Sequence, residues 1–502
     1  MNPGRVLWQM LHSGAFFGVY TISRLMLALA LGKGMASHEY GTYSLISSLA
    51  AVLPALVSFS AFQYYTREIP GRPIAQGAAL FKSVLAIQSL LLAGLCFGLI
   101  MFHSTRVWAA QILGIPGQWI PLLLAAGIFL ADSLATDLMR FLFAQCQIER
   151  GNLVAFIQTS LWPMVLFGAA VAGMPMTLPL VLVAWISAAA TAVGVGIVLA
   201  GTNQLIRTPI RLSTYLDAIR FGAPYLLSYA PVAVQALTYF TIAAVYSTEA
   251  VGVYAYQYNI IIMLGALAGP VISAPLEPHI TEAFNQNDSV RSGKLLGTAS
   301  KYRLAAVIPL LAIVCVCHEE VIHMLAKPGY AAAPWLMAAL APIPLGMTLS
   351  ATFERVLFLR RRTKPIGISF AGGAIVQAAA MVVAVPLHPQ YGPALAMNIG
   401  VFAQIALMWM HARRENIPFR IGAFPLATSA VVAVALAFMA KQWLAPYGGA
   451  TILFGAFVIV GSGYAIAAYL FQVVSISERQ MVGALLRQGS RRVLSLVGGR
   501  TR

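Results

Sequence analysis

The sequence predicts an all-α protein that crosses a lipid bilayer many times. Three observations carry that expectation. The 502-residue chain is 60% hydrophobic and 9% charged, with a mean hydropathy of +0.80. Long apolar runs follow one another from His12 to Val474, and about 20 apolar residues carry a helix across the ~30 Å hydrocarbon core. The runs are continuous rather than alternating, which excludes a barrel of ~10-residue strands. Helices then remain as the structure that satisfies its own backbone polar groups in lipid.

Fourteen spans are expected, and each has its own marks. The first, 12–31, follows Arg5 and holds Arg24. Its Ala28-Leu29-Ala30 resembles a signal-peptide cleavage site, but cleavage there would spoil the charge alternation described below, so an uncleaved anchor is expected. The second, 41–64, opens on Tyr40-Gly41 and contains Pro54. The third is 79–102. The fourth, 118–143, carries Asp132 and Asp137 and reaches its end at Arg140. The fifth and sixth are 153–173 and 177–200, and a basic connection with Arg207, Arg211 and Arg220 follows. The seventh, 222–246, contains Pro224 and Pro231, and the eighth is 250–275. A polar segment, 276–303, separates them from the ninth, 304–323. The tenth, 331–357, ends at Glu354-Arg355. The last four are 366–386, 391–411, 423–443 and 450–473, before a basic tail at 475–502.

The connections between spans alternate in charge. Of 32 Lys and Arg, only Lys33, Arg106, Lys327 and Lys441 fall on one side and Arg24 falls inside a span; all others fall on the opposite side. The basic side is the cytoplasmic one by the positive-inside rule, which puts both termini in the cytoplasm and requires an even number of spans. The formal charge of +17 therefore reflects topology and contact with anionic lipid. No basic helix is available to enter a nucleic-acid groove, so nucleic acid is not an expected partner.

The chain also repeats itself. Glu39-Tyr40-Gly41-Thr42-Tyr43 opens the second span, and Glu249-Ala250-Val251-Gly252-Val253-Tyr254 opens the eighth. Arg140-Phe141-Leu142-Phe143 closes the fourth, and Arg355-Val356-Leu357-Phe358 closes the tenth. Both pairs lie six spans apart at nearly equal separations. Such internal repetition is common in transporters. Six is even, so the halves are parallel repeats about an axis normal to the membrane. The expected units are an N-terminal lobe (1–205), a C-terminal lobe (206–415), two extra helices (416–474) and the tail (475–502).

No enzyme constellation stands out. A Gly-rich nucleotide loop ending in Gly-Lys-Ser/Thr is absent, the eight His are scattered and the four Cys suggest neither a disulfide framework nor a metal site. No cofactor is expected.

At these residues the chain resembles the multidrug/oligosaccharidyl-lipid/polysaccharide exporter superfamily, and within it the polysaccharide-transport branch of Wzx-type O-antigen flippases. Tyr40-Gly41-Thr42-Tyr43-Ser44 matches that branch's Tyr-Gly box at the second helix. Gly329-Tyr330-Ala331-Ala332-Ala333 matches its Gly-Tyr-x-x-Ala box before the tenth. Tyr391-Gly392-Pro393-Ala394-Leu395-Ala396 is a shortened form of the box opening the twelfth. The resemblance covers about residues 10–412. It implies two six-helix lobes around a central cavity, alternating access, a bacterial inner-membrane location and a polyprenyl-diphosphate-linked oligosaccharide as cargo. Coupling to protons, sodium or the membrane potential is implied as well, and other polysaccharide-assembly proteins are implied as partners. Lipid II flippases share the fourteen-helix plan but usually carry further arginines soon after the first. Here none follows Arg24 before Lys33. A multidrug-type cation antiporter is the other alternative. A monomer is expected, since one chain holds both lobes.

Ionisable groups inside spans are costly, at least ~2.5 kcal/mol at mid-bilayer, and so point to function. Arg24 is the expected diphosphate ligand, since a guanidinium binds such groups in two-pronged fashion; a structural ion pair with Asp132 or Asp137 is the alternative. Those two aspartates are coupling candidates or ion-pair partners. They differ by about 140° around their helix, so only one is expected to face the cavity. Arg140, Glu354 and Arg355 are expected at a cytoplasmic gate. Tyr225, Tyr229, Gln235, Tyr239, Gln257 and Asn259 are candidates for sugar contact, with ordinary packing as the alternative. Pro224 and Pro231 match the seventh helix's expected place as a lobe hinge.

Overall fold

The computed structural model describes residues 3–69, 74–115, 119–145, 147–201, 209–360, 362–388, 390–415, 417, 419, 421–471 and 473. Among them every regular element is a helix. The first eleven helices are α1 (Pro3–Gly34), α2 (Ser37–Val57), α3 (Phe62–Glu68), α4 (Ile74–Met101), α5 (His103–Ile112), α6 (Trp119–Ala144), α7 (Ile148–Phe156), α8 (Trp162–Val171), α9 (Leu178–Ala200), α10 (Leu212–Leu226) and α11 (Ala230–Val245). The next nine are α12 (Thr248–Asn285), α13 (Ser289–Val316), α14 (His318–Leu325), α15 (Leu336–Leu340), α16 (Pro342–Leu359), α17 (Thr363–Leu387), α18 (Gly392–Ala412), α19 (Ala423–Leu444) and α20 (Gly449–Leu470).

Twelve helical runs of described residues are long and apolar enough to cross a membrane. The fourteen expected spans include two more, which coincide with the 32-residue α1 and the 38-residue α12; twelve is the number shown. Local chemistry sets several boundaries. Proline stands in the first turn of α9, α11 and α18, where its missing N–H costs nothing. Gly201 ends α9 at φ 88°, a left-handed conformation suited to glycine.

Two segments gain detail. The polar segment 276–303 is largely helical: α12 runs on to Asn285 and α13 starts at Ser289, capped by the Asp288 carboxylate accepting from the Arg291 N–H at 2.9 Å. Polar residues there lengthen helices beyond their apolar portion, which hydropathy alone does not reveal. The seventh span is interrupted between its two prolines. It breaks at a 3-10 turn, Leu227–Tyr229, between α10 and α11, and Pro231 begins the second piece.

The helices pack in two groups. In one, α6 lies against α4, α7 and α9, and α1 against α7 and α8. In the other, α12 lies against α13 and α16, and α18 against α16 and α17. The last pair, α19 and α20, packs on α13 of the second group, with Lys441 Nζ 3.2 Å from the Glu320 carboxylate. Helix α10 lies against α3 and α4 of the first group.

The groups meet where α2 crosses α12 and α11, and where α1 crosses α12. The α2–α12 crossing joins the two Gly-x-Tyr markers of the sequence repeat. A Cβ on Gly41 would overlap the Thr248 carbonyl, and one on Gly252 would overlap the Ser37 carbonyl. Both belong to the end of the molecule with few basic residues. There, too, Lys327 N–H donates to the Gly32 carbonyl at 2.9 Å, and Tyr256 Oη donates to the carbonyls of Ala28 (3.0 Å) and Leu325 (2.9 Å). This charge-poor end is stitched shut.

Candidate functional site

Beneath that seal a cavity of about 550 Å³ lies between α1, α2, α11 and α12. Its walls follow helical geometry. On α1 it takes Tyr20, Arg24, Leu27, Ala28 and Leu31; on α2 it takes Tyr40, Tyr43, Ser44, Ser47, Ser48 and Ala51. These are i, i+3, i+4 stripes, one face of each helix. From α11 come Gln235 and Tyr239, and from α12 Tyr256 and Asn259. Four residues expected from the sequence, Arg24, Gln235, Tyr239 and Asn259, therefore meet around one space.

Arg24 is the charged residue among the described lining. Its guanidinium carbon lies 5.2 Å from the centre of the Tyr20 ring, and its Nε is buried without a hydrogen-bond partner. A buried unpaired donor is costly, so the group is suited to an anion arriving in the cavity. Asn259 donates to Tyr40 Oη at 3.1 Å, a bond between the two groups of helices. The Ser44 and Ser48 hydroxyls donate to carbonyls of their own helix, each at 2.8 Å, which satisfies their protons in an apolar setting.

The aspartates are placed differently from expectation. Neither lines the central cavity, and both border a smaller one of about 190 Å³ together with Gln88, Arg140 and Tyr229. Asp137 is fully engaged: it accepts from Tyr65 Oη at 2.7 Å and from Gln88 Nε2 at 2.9 Å, and Arg140 lies 3.6 Å away. Asp132 accepts on one oxygen from Gln158 Nε2 and Trp185 Nε1, both at 3.1 Å. Gln158 sits in a π-helical turn, Ile157–Leu161; such turns frequently mark functional positions. The 140° separation along a straight helix left out the partners α2 and α4, which close a second space around both.

Arg140 does not meet Glu354 or Arg355. Its partners include Asp137, the hydroxyls of Tyr65 and Tyr229, and the Phe62 ring, whose centre is 3.7 Å from the guanidinium carbon. Glu354 and Arg355 border a separate cavity of about 300 Å³ in the second group, where Arg355 donates to Thr281 Oγ1 at 2.9 Å. No gate pair joins these three residues. Gln257 is not a cavity residue: it is fully buried and donates to the carbonyls of Tyr330 (3.0 Å) and Ala333 (3.2 Å). Tyr229 faces the smaller cavity and packs edge-on against Phe62. The side chains of Tyr225 and Pro224 lie outside the described residues.

Sequence reasoning missed Tyr20, Ser47 and Ser48, and it treated Tyr43 and Ser44 as a motif rather than a surface. The signal was available in the hydroxyl residues spaced i, i+3, i+4 through the second span.

No family model and no curated protein matches the chain. Solved structures do. One titled "Lipid II flippase MurJ, inward closed conformation" aligns with TM-score 0.67 and 14% identity, over 92% of this chain and 98% of its own. The fold is shared. A multidrug resistance MATE family transporter of the MOP superfamily, in an inward-facing conformation, aligns with TM-score 0.61 and 12% identity, over 82% of this chain and 95% of its own. The chain is thus a multi-pass membrane protein with the fold common to these two transporters.

Proposed function

We propose that this chain is a flippase that moves a polyprenyl-diphosphate-linked oligosaccharide across the bacterial inner membrane by alternating access. One observation carries the reading: a single guanidinium, Arg24, with its Nε unpaired, faces a cavity between two helix groups that also presents hydroxyl, amide and aromatic groups among its aliphatic residues. An arginine binds a diphosphate by charge-assisted, two-pronged bonds. Tyrosine faces and amides suit sugar rings and hydroxyls. The fold shared with a lipid II flippase and a multidrug transporter supports a transport role.

The two lobes are residues 1–205 and 206–415, with both termini in the cytoplasm and the charge-poor end toward the outside. The bond pattern that seals that end then describes a state facing the cytoplasm. Asp132, with one oxygen held by Gln158 and Trp185, is the better coupling candidate, since Asp137 is committed to Tyr65, Gln88 and Arg140. A cation antiporter would need an acidic cavity, and the described lining offers a basic one. Lipid II is the second reading, favoured by the fold of its flippase; it shares the diphosphate and differs in the sugar.

Depletion of the protein followed by mass spectrometry of lipid extracts tests this. A complete lipid-linked oligosaccharide accumulates if the proposal holds, and lipid II accumulates under the second reading. An unchanged lipid pool in cells making such glycans would overturn both.

A further inference from the structure

A second cavity lies apart from the one that holds Arg24. It measures about 740 Å³ and is bounded by α2, α4, α5, α6 and α11. Leu49 and Leu53 of α2, Leu95 and Leu99 of α4, and Phe129 of α6 give it an apolar wall. Interiors are packed to crystal density with few voids larger than a water molecule, so a space of this size between helices calls for an occupant. Its chemistry is hydrocarbon: the described polar residues bordering it are Gln111 and Thr248, both at the charge-poor end.

Its mouth is lateral. Trp108 and Leu95 border it and are exposed, and so is Ala244 on α11. Above the mouth lies α5, where the Arg106 guanidinium stacks 3.8 Å from the centre of the Trp119 ring. An arginine on a tryptophan at the end of an apolar span is the arrangement of an interfacial anchor. The cavity therefore lies toward the charge-poor end, next to the seal.

Its position relative to the polar cavity is informative. Ser47, Ser48 and Ala51 of α2 face the Arg24 cavity, while Leu49 and Leu53 face the apolar one from the opposite side of the same helix. On α11, Gln235 and Tyr239 face the first, and Phe240 and Ala243 face the second. One seam, α2 against α11, separates the space that holds Arg24 with its hydroxyl and amide neighbours from a more apolar one with exposed residues at its border. A molecule with an anionic head and a long hydrocarbon tail matches that pair of spaces.

We infer that the 740 Å³ cavity is the berth for the prenyl chain of the cargo, with the α2–α11 seam as the lateral gate through which head and tail stay joined. This rests on the flippase reading above. The berth keeps the tail in hydrocarbon while the diphosphate is held at Arg24, so the greasy part never crosses the polar cavity. It also assigns the exit: parting of α2 from α11 at the charge-poor end would join the two spaces.

The test uses the full chain in lipid nanodiscs with undecaprenyl diphosphate carrying a diazirine on its last isoprene unit. After irradiation, peptide mapping should place label on the stretch around Leu49 and Leu53 and on Phe240–Ala244. Excess unlabelled undecaprenyl diphosphate should remove at least nine-tenths of that label (a tenfold loss), and phosphatidylglycerol should not. Ala243→Trp and Ala126→Trp, which fill opposite walls, should each lower the label about tenfold while leaving Arg24-dependent binding in place; the wild-type map decides the matter if either variant fails to fold. Label confined to other helices, with Arg24-dependent binding intact, would overturn the berth and leave the flippase reading standing. Equal competition by phosphatidylglycerol would also overturn it, by making the site an ordinary lipid pocket. Absence of any saturable binding of the probe would count against the flippase reading and the berth with it.

Discussion

Lys33 and Lys327 hold each other's loops. Lys33 Nζ donates to the carbonyls of His323 (2.5 Å) and Ala326 (3.2 Å), while Lys327 Nζ donates to the Gly34 carbonyl at 3.0 Å. They are two of the few basic residues on the charge-poor side, and each comes from a different group of helices. A basic residue at this end is unfavourable for topology, so its presence asks for a local reason, and the reciprocal clasp supplies one. Charge-assisted hydrogen bonds contribute about 1.5–3 kcal/mol when sheltered and less when exposed, as Lys33 is. The double change Lys33→Ala with Lys327→Ala should therefore loosen the seal by roughly 1–2 kcal/mol, on the order of tenfold in opening. A Ser44→Cys reporter in a background free of native cysteines should react about tenfold faster with an impermeant maleimide added on the side of the charge-poor end. An unchanged rate would show that the clasp does not hold the seal.

The crossing of Gly41 and Gly252 predicts a larger effect from a smaller change. Gly41→Ala gains up to about 1 kcal/mol of helix propensity. It also drives a methyl into the Thr248 carbonyl, and backbone cannot swing aside as a flexible side chain can. Overpacking of this kind costs about 1–3 kcal/mol, so the clash outweighs the propensity. The expected result is a lower melting temperature together with faster labelling of the Ser44→Cys reporter. A variant that melts higher and stays sealed would mean that the helices shift apart freely there.

The same pair shows what could be read in advance. Gly41 and Gly252 were visible as repeat markers because a close backbone crossing admits only glycine, and that constraint leaves a mark in the sequence. Arg24 was legible because lipid makes an in-span charge conspicuous. Gln257 was misplaced for the opposite reason: an amide in a span looks the same whether it meets a sugar or the carbonyls of Tyr330 and Ala333. Helix phase settles which face a residue takes, but it does not say which neighbour covers that face. Asp132 and Asp137 were separated on that ground, and α2 and α4 then enclosed both. The break at Leu227–Tyr229 was hinted at by two prolines, whereas the extensions of α12 and α13 beyond their apolar stretches were not signalled by hydropathy.

Gln257 gives a prediction that separates packing from binding. Gln257→Leu is close in size and removes both bonds to the loop carbonyls; Ala333 keeps its bond from the Leu336 N–H at 3.2 Å, while the Tyr330 carbonyl loses its Gln257 donor at about 1–3 kcal/mol. Thermal stability should fall, and affinity for undecaprenyl diphosphate in the folded fraction should stay within about twofold. Weaker binding with no loss of stability would restore a role in the cavity.

Asp137 and Arg24 form the sharpest contrast. Asp137 is buried and satisfied by Tyr65, Gln88 and Arg140. Asp137→Ala strips an acceptor from two donors and leaves Arg140 without its carboxylate; breaking a buried pair in this way costs about 3–5 kcal/mol, and Asp137→Asn should recover part of it by keeping one acceptor. Arg24 behaves differently. Its Nε has no partner and the rest of the guanidinium meets Tyr20, so Arg24→Ala should lower the melting temperature much less than Asp137→Ala does, while binding of undecaprenyl diphosphate falls by ten- to a hundredfold, the equivalent of about 1.5–3 kcal/mol for lost charge-assisted bonds. Arg24→Lys keeps the charge without the planar fork and should fall between the two. Calorimetry and a binding titration on the same four variants read both quantities at once. If Arg24→Ala destabilises as strongly as Asp137→Ala, the guanidinium is a structural element of the first helix group and the anion site must lie elsewhere.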